Sequence, residues 1–415
     1  MSRDIKIVLA GHIDHGKSTL IGRLLYETGS LSDELTAALA RIADAGDEDR
    51  TFAYVLDHLS EERHSNITID TAQVFLRYED RHYVLIDAPG HKEFVRNMIT
   101  GASQADAAIL IVSASDGVCE QTRRHCNLLA MLGVRHILIV VNKMDNVLYS
   151  RRIFEHIRQD LADHMARLGL TARLVLPMSA QRGENLIRRS DQMPWYGGPT
   201  LMQELASLDV RQDDADLLAV PVQDVYQCDG DQAWRVGGRI ESGSLTTGQA
   251  VWLYPDGGQA TVAGIQTFNG DVAGAKQDWC VLLRLEAQQS PRRGQIIAGP
   301  GSALKAGRQA RARIFWMSQQ PLAEGASFEF ACATQAATCT VERIVRVIDS
   351  ATLEPVTPPR AEARFTEIVE ADISFDAPMI HLPFAQLPEL GRFTLSVDKE
   401  VCAGGIFDIP ATTGS

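Results

Sequence analysis

The sequence holds few of the residues that would staple it from outside. Its 415 residues include seven cysteines, an odd number, scattered and with no C-x-x-C pair. That argues against a disulfide framework or a thiolate zinc site and suits free thiols in a reducing compartment. Positive charge is also in deficit, with 40 Lys and Arg against 53 Asp and Glu and a formal net charge of −13. Bulk attraction to nucleic acid or to an anionic membrane is therefore not expected. The local basic clusters, Arg123-Arg124-His125, Arg188-Arg189 and Arg308 to Arg313, read first as solvated faces. No apolar run reaches membrane-spanning length, and no cationic and apolar leader opens the chain. A soluble, cytoplasmic protein without a membrane partner is expected. At this length it should hold two or three domains with substantial cores.

What the chain does have is a series of nucleotide-reading segments in order. Gly11-His12-Ile13-Asp14-His15-Gly16-Lys17-Ser18 fits G-x-x-x-x-G-K-[ST], between a strand-like run, Ile5 to Ala10, and a helix-like run, Thr19 to Tyr26. A triphosphate concentrates negative charge and needs many converging donors. A Gly-rich turn turns backbone N–H groups toward it, and the helix N-terminus adds its positive dipole end. Gly11, Asp14, His15, Gly16, Lys17, Ser18 and Thr19 are the expected phosphate-side residues. Lys17 would reach the β- and γ-phosphates, and the Ser18 hydroxyl would ligate Mg²⁺.

The base is read downstream. Asn142-Lys143-Met144-Asp145 ends the strand-like run His136 to Val141. A carboxylate at the base edge accepts from guanine N1–H and its exocyclic amine, whereas adenine offers an acceptor at N1 and would leave the carboxylate unpaired. Asp145 is assigned that role, Asn142 would tie its loop to the phosphate loop, and the Lys143 stem would cover the base. Ser179-Ala180 fits the last guanine-contacting loop, offering a backbone N–H to O6. GTP and GDP are thus expected in preference to ATP.

Hydrolytic residues lie between these segments. Asp87-Ala88-Pro89-Gly90-His91 ends the strand-like run Tyr83 to Ile86. Asp87 would hold Mg²⁺ through water, the Gly90 N–H would sense the γ-phosphate, and His91 would orient the attacking water. The plain alternative for His91 is a surface histidine at a helix start. Thr68, in Asn66-Ile67-Thr68, is the second expected protein ligand to Mg²⁺, on a loop ordered by the γ-phosphate. Catalysis would then fall to His91, Lys17 and Thr68. Ile13 and Ile67 are candidates for an apolar gate over His91.

Residues 1 to about 205 alternate apolar strands, near 5–10, 83–87, 107–113, 136–141 and 173–177, with amphipathic helical stretches. That predicts an α/β domain whose mostly parallel sheet carries helices on both faces. A charge-rich helical insertion is expected over Asp33 to Ala43 and Phe52 to Glu62. From about Leu217 the period changes, and two small all-β barrels are expected. With linkers near Ser207–Asp216 and Gly299–Gly307, the domains would be 1–207, 217–300 and 308–415.

Together these residues resemble the translational-factor class of GTPases, a GTP-binding domain followed by two β-barrels. Gly238-x-Ile240-x-x-Gly243-x-Leu245-x-x-Gly248 looks like the start of that class's second domain. Ile13 to Lys17, Asp87 to Phe94 and Asn97 to Ala102 look like elongation factor 1-alpha. Lys17 to Leu25, Arg189 to Tyr196, Phe315-Trp316-Met317, Gln320-Pro321-Leu322, Ile373 to Pro378 and Gly391-Arg392-Phe393 are instead similar to the GTPase subunit of bacterial sulfate adenylyltransferase. The sequence departs from that subunit's pattern at His12 (commonly Ser), His15 (commonly Asp) and Asn66 (commonly Gly). The resemblance implies a smaller PP-loop partner subunit that forms adenosine 5′-phosphosulfate and pyrophosphate from ATP and sulfate, driven in part by GTP hydrolysis here. Two alternatives stay open. One is an elongation-factor-like carrier of aminoacyl-tRNA, to which Trp234, Arg235 and Arg239 would contribute. The other is a paralogue serving a different PP-loop partner.

Overall fold

The structure, a computed structural model, describes residues 4–33, 35–37, 52, 73–87, 105–131, 133–134, 136–208, 217–227, 233–302 and 304–407. The chain divides into two units, 1–210 with 350–353 and 211–349 with 354–415.

The first unit is built on a six-stranded sheet. Its strands are β1 (Ile5–Gly11), β2 (Gln73–Tyr78), β3 (Arg81–Asp87), β4 (Ala107–Ser113), β5 (His136–Asn142) and β6 (Leu174–Pro177), in the order β2-β3-β1-β4-β5-β6. All neighbours run parallel except the edge strand β2, which is antiparallel to β3. Every residue of β4 is buried, as a strand covered on both faces requires. In β2, by contrast, Val74 and Leu76 are buried and Gln73, Phe75 and Arg77 are exposed. Its alternating, polar-interrupted pattern was not among the strands expected from sequence.

Among the described residues, the helices delimited at both ends in this unit are α1 (Lys17–Glu27), α2 (Glu120–Met131), α3 (Arg151–Arg167) and α4 (Leu201–Ala206). Helical spacing gathers their apolar residues on one side, Leu20, Ile21, Leu24 and Leu25 in α1 and Phe154, Ile157, Leu161 and Met165 in α3. Leu20, Leu24, Leu201 and Leu205 share one core with Ile7, Leu9, Ile109 and Val140 of the sheet. α4 is held by a capping box: Thr200 accepts from the Gln203 N–H, and the Gln203 side chain accepts from the Thr200 N–H. Helix α1 also packs closely on the expected insertion. Gly22 lies where an added Cβ would fall on the Phe52 carbonyl oxygen, and the Arg23 guanidinium stands 4.8 Å from the centre of the Phe52 ring. Residues 33, 35–37 and 52 are helical, and the rest of the insertion lies outside the described residues.

The second unit contains two closed, six-stranded antiparallel barrels. The first runs Ala250–Tyr254, Ile296–Ala298, Ala219–Gln227, Trp234–Arg239, Cys280–Ala287 and Gly258–Thr267, which pairs back to the start. The second runs Ala306–Trp316, Ile368–Ile380, Gln335–Ile348, Ser327–Cys332, Arg392–Val397 and Glu400–Ile406. Period-2 strands such as Ser327–Cys332 send alternate side chains into each core. An apolar seam of Ala219, Ile296, Leu304, Ile380 and Leu390 joins the barrels. Beside it, Arg239 pairs with Asp278 at 2.5 Å and with Glu241 at 3.8 Å. On the last barrel, Arg311 grips Asp372 with two bonds of 2.7 and 3.0 Å, and Arg313 approaches Glu370 at 3.5 Å. This basic cluster is therefore largely spent on neighbouring carboxylates.

Candidate nucleotide-binding site

Parallel pairing sets the expected site residues level. Leu9 of β1 stands beside Asp87, Gly11 beside Ile111, and Ser113 of β4 beside Asn142. The carboxyl ends of β1, β3, β5 and β6 thus carry Gly11 to Ser18, Asp87, Asn142 to Asp145, and Ser179-Ala180. In open α/β sheets, ligands bind at that edge.

The loop after β1 passes through a short 3-10 turn, Ile13–His15, and enters α1 at Gly16. Gly16 has φ +87°, and a Cβ there would come within 2.5 Å of Asn142 Nδ2. Only glycine meets both demands cheaply. Lys17 is buried, and its Nζ donates to Gly11 O at 2.7 Å and His12 O at 3.1 Å. Burial pushes its pKa down, against the pull of Asp87 and Asp14. Ser18 and Thr19 occupy the first turn of α1, where free N–H groups and the helix dipole favour an anion. The Ser18 hydroxyl and Asp87 carboxylate are hard oxygen donors of the kind Mg²⁺ prefers.

On the base side, Asn142 joins two loops. Its Nδ2 donates to His15 O and its Oδ1 accepts from the Ala180 N–H, both at 2.9 Å, and the residue is buried. Of the Ser179-Ala180 loop, expected to offer a backbone N–H to guanine O6, the Ala180 N–H is thus already engaged with Asn142. Lys143 has φ +61°, a left-handed conformation that costs a non-glycine residue roughly 1–2 kcal/mol. Neighbouring bonds hold it: Met144 N–H donates to Met178 O, and Asn146 N–H to Lys143 O, each at 3.1 Å. Asp145 Oδ1 is buried and receives no protein hydrogen bond. A buried carboxylate oxygen without a donor is costly, and a ligand edge carrying N–H groups would satisfy it.

Sequence reasoning missed the bracing behind this loop. Trp195 Nε1 donates to Tyr149 O at 3.1 Å, with its ring packed against Phe154 and Tyr196. Asn185, at φ +60°, donates to Pro177 O and accepts from the Ser190 N–H, both at 2.9 Å. An Asn beside Gly183-Glu184 was a readable signal, because Asn tolerates left-handed backbone better than most residues. Thr68, Gly90 and His91, together with Asn66, Ile67 and the side chain of Ile13, lie outside the described residues.

Residues 2–220 match the family profile "Elongation factor Tu GTP binding domain", and residues 309–408 match "GTP-eEF1A C-terminal domain-like". The chain belongs to the elongation factor Tu family of GTPases. Within this family it is 44% identical over 252 residues to elongation factor 1-alpha of Pyrococcus furiosus, covering 60% of this chain and 58% of that protein. It is 36% identical over 395 residues to sulfate adenylyltransferase subunit 1 of Erwinia tasmaniensis, covering 93% and 82%. Elongation factor 1-alpha of Methanopyrus kandleri matches at 33% over 419 residues, covering 97% and 96%. For this elongation factor Tu family member, an α/β GTP-binding domain followed by two barrels is the family architecture.

Proposed function

We infer that this GTPase is the larger subunit of a heteromeric sulfate adenylyltransferase (EC 2.7.7.4). In that reading it hydrolyses GTP to drive a PP-loop partner that makes adenosine 5′-phosphosulfate and pyrophosphate from ATP and sulfate. The observation carrying it is the long match to a sulfate adenylyltransferase subunit 1, which runs through 93% of the chain at 36% identity. The elongation factor matched over the full chain is less similar, at 33%. Segments such as Arg189 to Tyr196 and Phe315-Trp316-Met317, which resemble that subunit, support the same choice.

In this function, Lys17 and the first turn of α1 bind the phosphates, while Asp145 and the Asn142 tie orient guanine. Mg²⁺, when bound by Ser18, Thr68 and Asp87, would neutralise charge on the β- and γ-phosphates. His91 orients the attacking water, and this chain contributes none of the adenylyl-transfer residues. The setting is the cytoplasm.

A second reading, a carrier of aminoacyl-tRNA, is favoured by the 44% identity of the first part to an elongation factor. A groove of about 500 Å³ on the first barrel is lined by Asp224, Tyr226, Gly238, Arg293 and the fully exposed Phe268, and by none of Trp234, Arg235 and Arg239. Affinity purification from the native host, with a non-hydrolysable GTP analogue bound, separates the two. A stoichiometric PP-loop protein, with sulfate-dependent pyrophosphate release by the pair, supports the first reading. Bound tRNA without that protein refutes it.

A further inference from the structure

We propose that His15 is a positioning residue that governs how long nucleotide stays bound: its imidazole braces the phosphate loop on β4 while its main-chain oxygen holds Asn142. The proposal rests on the GTP-binding reading of the loop and adds to it a single bond with a defined donor atom.

His15 is fully buried, and its side chain turns back into the protein. Nδ1 lies 3.1 Å from Ile111 O, ninety-six residues away, near the end of β4. A carbonyl only accepts, so the ring proton sits on Nδ1. Burial pushes the ring's pKa down, opposed first by the bond to Ile111 O and then by Asp116, with His12 and Lys17 adding to the fall. Nε2 then carries a bare lone pair, 3.6 Å from the half-exposed Asp116 carboxylate, too far for a hydrogen bond. The ring also stands edge-on to His12, with centroids 5.4 Å apart. One residue therefore joins the phosphate loop to the sheet through its side chain and to the base-reading loop through its backbone. Loosening the first joint frees the second, and both halves of the nucleotide lose their fixed frame together.

The position of the donor makes the proposal testable. An asparagine amide places its nitrogen at the δ position, as in the Nδ1–H of histidine, whereas a glutamine amide, though closer to histidine in size, places it at ε. Packing alone would favour Gln, and the bond to Ile111 O favours Asn. The experiment measures release of a fluorescent GDP analogue from the full chain by stopped flow, alongside thermal melting. His15→Asn should release at a rate nearest wild type. His15→Gln and His15→Leu should release about tenfold faster, the equivalent of one lost buried hydrogen bond. Equal release from the Asn and Gln variants would overturn the proposal, as would Leu releasing at the wild-type rate. Should the Leu variant not fold, the Asn and Gln pair still decides. A wild-type protein that binds no GDP at all would remove the GTP reading itself, and the proposal with it.

Discussion

Asn142→Ala is the most demanding test of the site, because one side chain serves two loops. Its removal leaves the His15 oxygen and the Ala180 N–H without partners in a place from which water is nearly excluded. An unsatisfied buried group costs about 1–3 kcal/mol, so two groups would cost about 2–6 kcal/mol if nothing relaxed. A water entering the vacated space would satisfy one of them, leaving about 1–3 kcal/mol, or roughly 5- to 150-fold in affinity. Where that loss falls depends on the free state. If the loops relax without nucleotide, binding must restore them and the loss appears in the dissociation constant. Titration with a fluorescent GDP analogue, beside urea unfolding of the nucleotide-free protein, separates affinity from stability. Asn142→Asp sharpens the test. It is nearly isosteric and keeps the acceptor for Ala180, but it sets a carboxylate oxygen against the His15 oxygen at about the same spacing. It should bind no better than the Ala variant. Wild-type affinity in the Asp variant, or a loss of stability alone in both, would refute the reasoning.

Asp145→Asn should lose GTP affinity and gain affinity for xanthosine triphosphate, since the amide offers a donor where xanthine offers an acceptor; competition binding would show it, and unaltered GTP affinity would remove Asp145 as the base reader. His91→Ala should retain GTP binding yet hydrolyse it about 100-fold or more slowly in single turnover, the loss typical of a removed acid–base group, with an unchanged rate counting against the water-orienting role. Glu241 yields a pH prediction. Burial first, and then the Glu389 carboxylate, push its pKa up from 4.5 to about 7, against the pull of Arg239 and Arg392, with Asp278 adding a little upward. Between those values the folded state holds more protons than the unfolded one, so stability falls as pH rises through that window. Glu241→Gln should flatten this slope and raise the unfolding free energy from urea titration at pH 8 by on the order of 2 kcal/mol. Parallel pH profiles for the two proteins would exclude the seam as its source.

Buried parallel strands were legible because they are continuous apolar runs. Ala107–Ser113, and His136–Asn142 after its opening histidine, have no polar interruption until the residue that ends the strand. β2 was not, because an edge strand with one solvated face mixes Gln73, Phe75 and Arg77 with its two buried residues. The barrels were legible as a change of period, but their strand order was not. Ile296–Ala298 inserts between Ala250–Tyr254 and Ala219–Gln227, a pairing that no local pattern encodes. At the candidate site, residue types and spacing pointed to each loop separately. The tie from Asn142 to the phosphate loop was legible too, from its place in the Asn-Lys-x-Asp segment. The other braces were hidden, because His15 reaches 96 residues to Ile111 in a strand and Trp195 reaches 46 to Tyr149. Such contacts are decided by packing after the sheet has formed.

The approach of α1 to Phe52 bears on how mutational tolerance in this chain should be interpreted. In a saturation library scored by growth, position 22 should be as depleted as position 17, since any side chain at Gly22 must displace the Phe52 backbone. The two losses differ in kind. Lys17 variants should accumulate as folded, inactive protein, whereas Gly22 variants should disappear from the soluble fraction. A fitness map read alone would place both in one functional patch, and pairing it with an abundance map would assign the glycine to the scaffold.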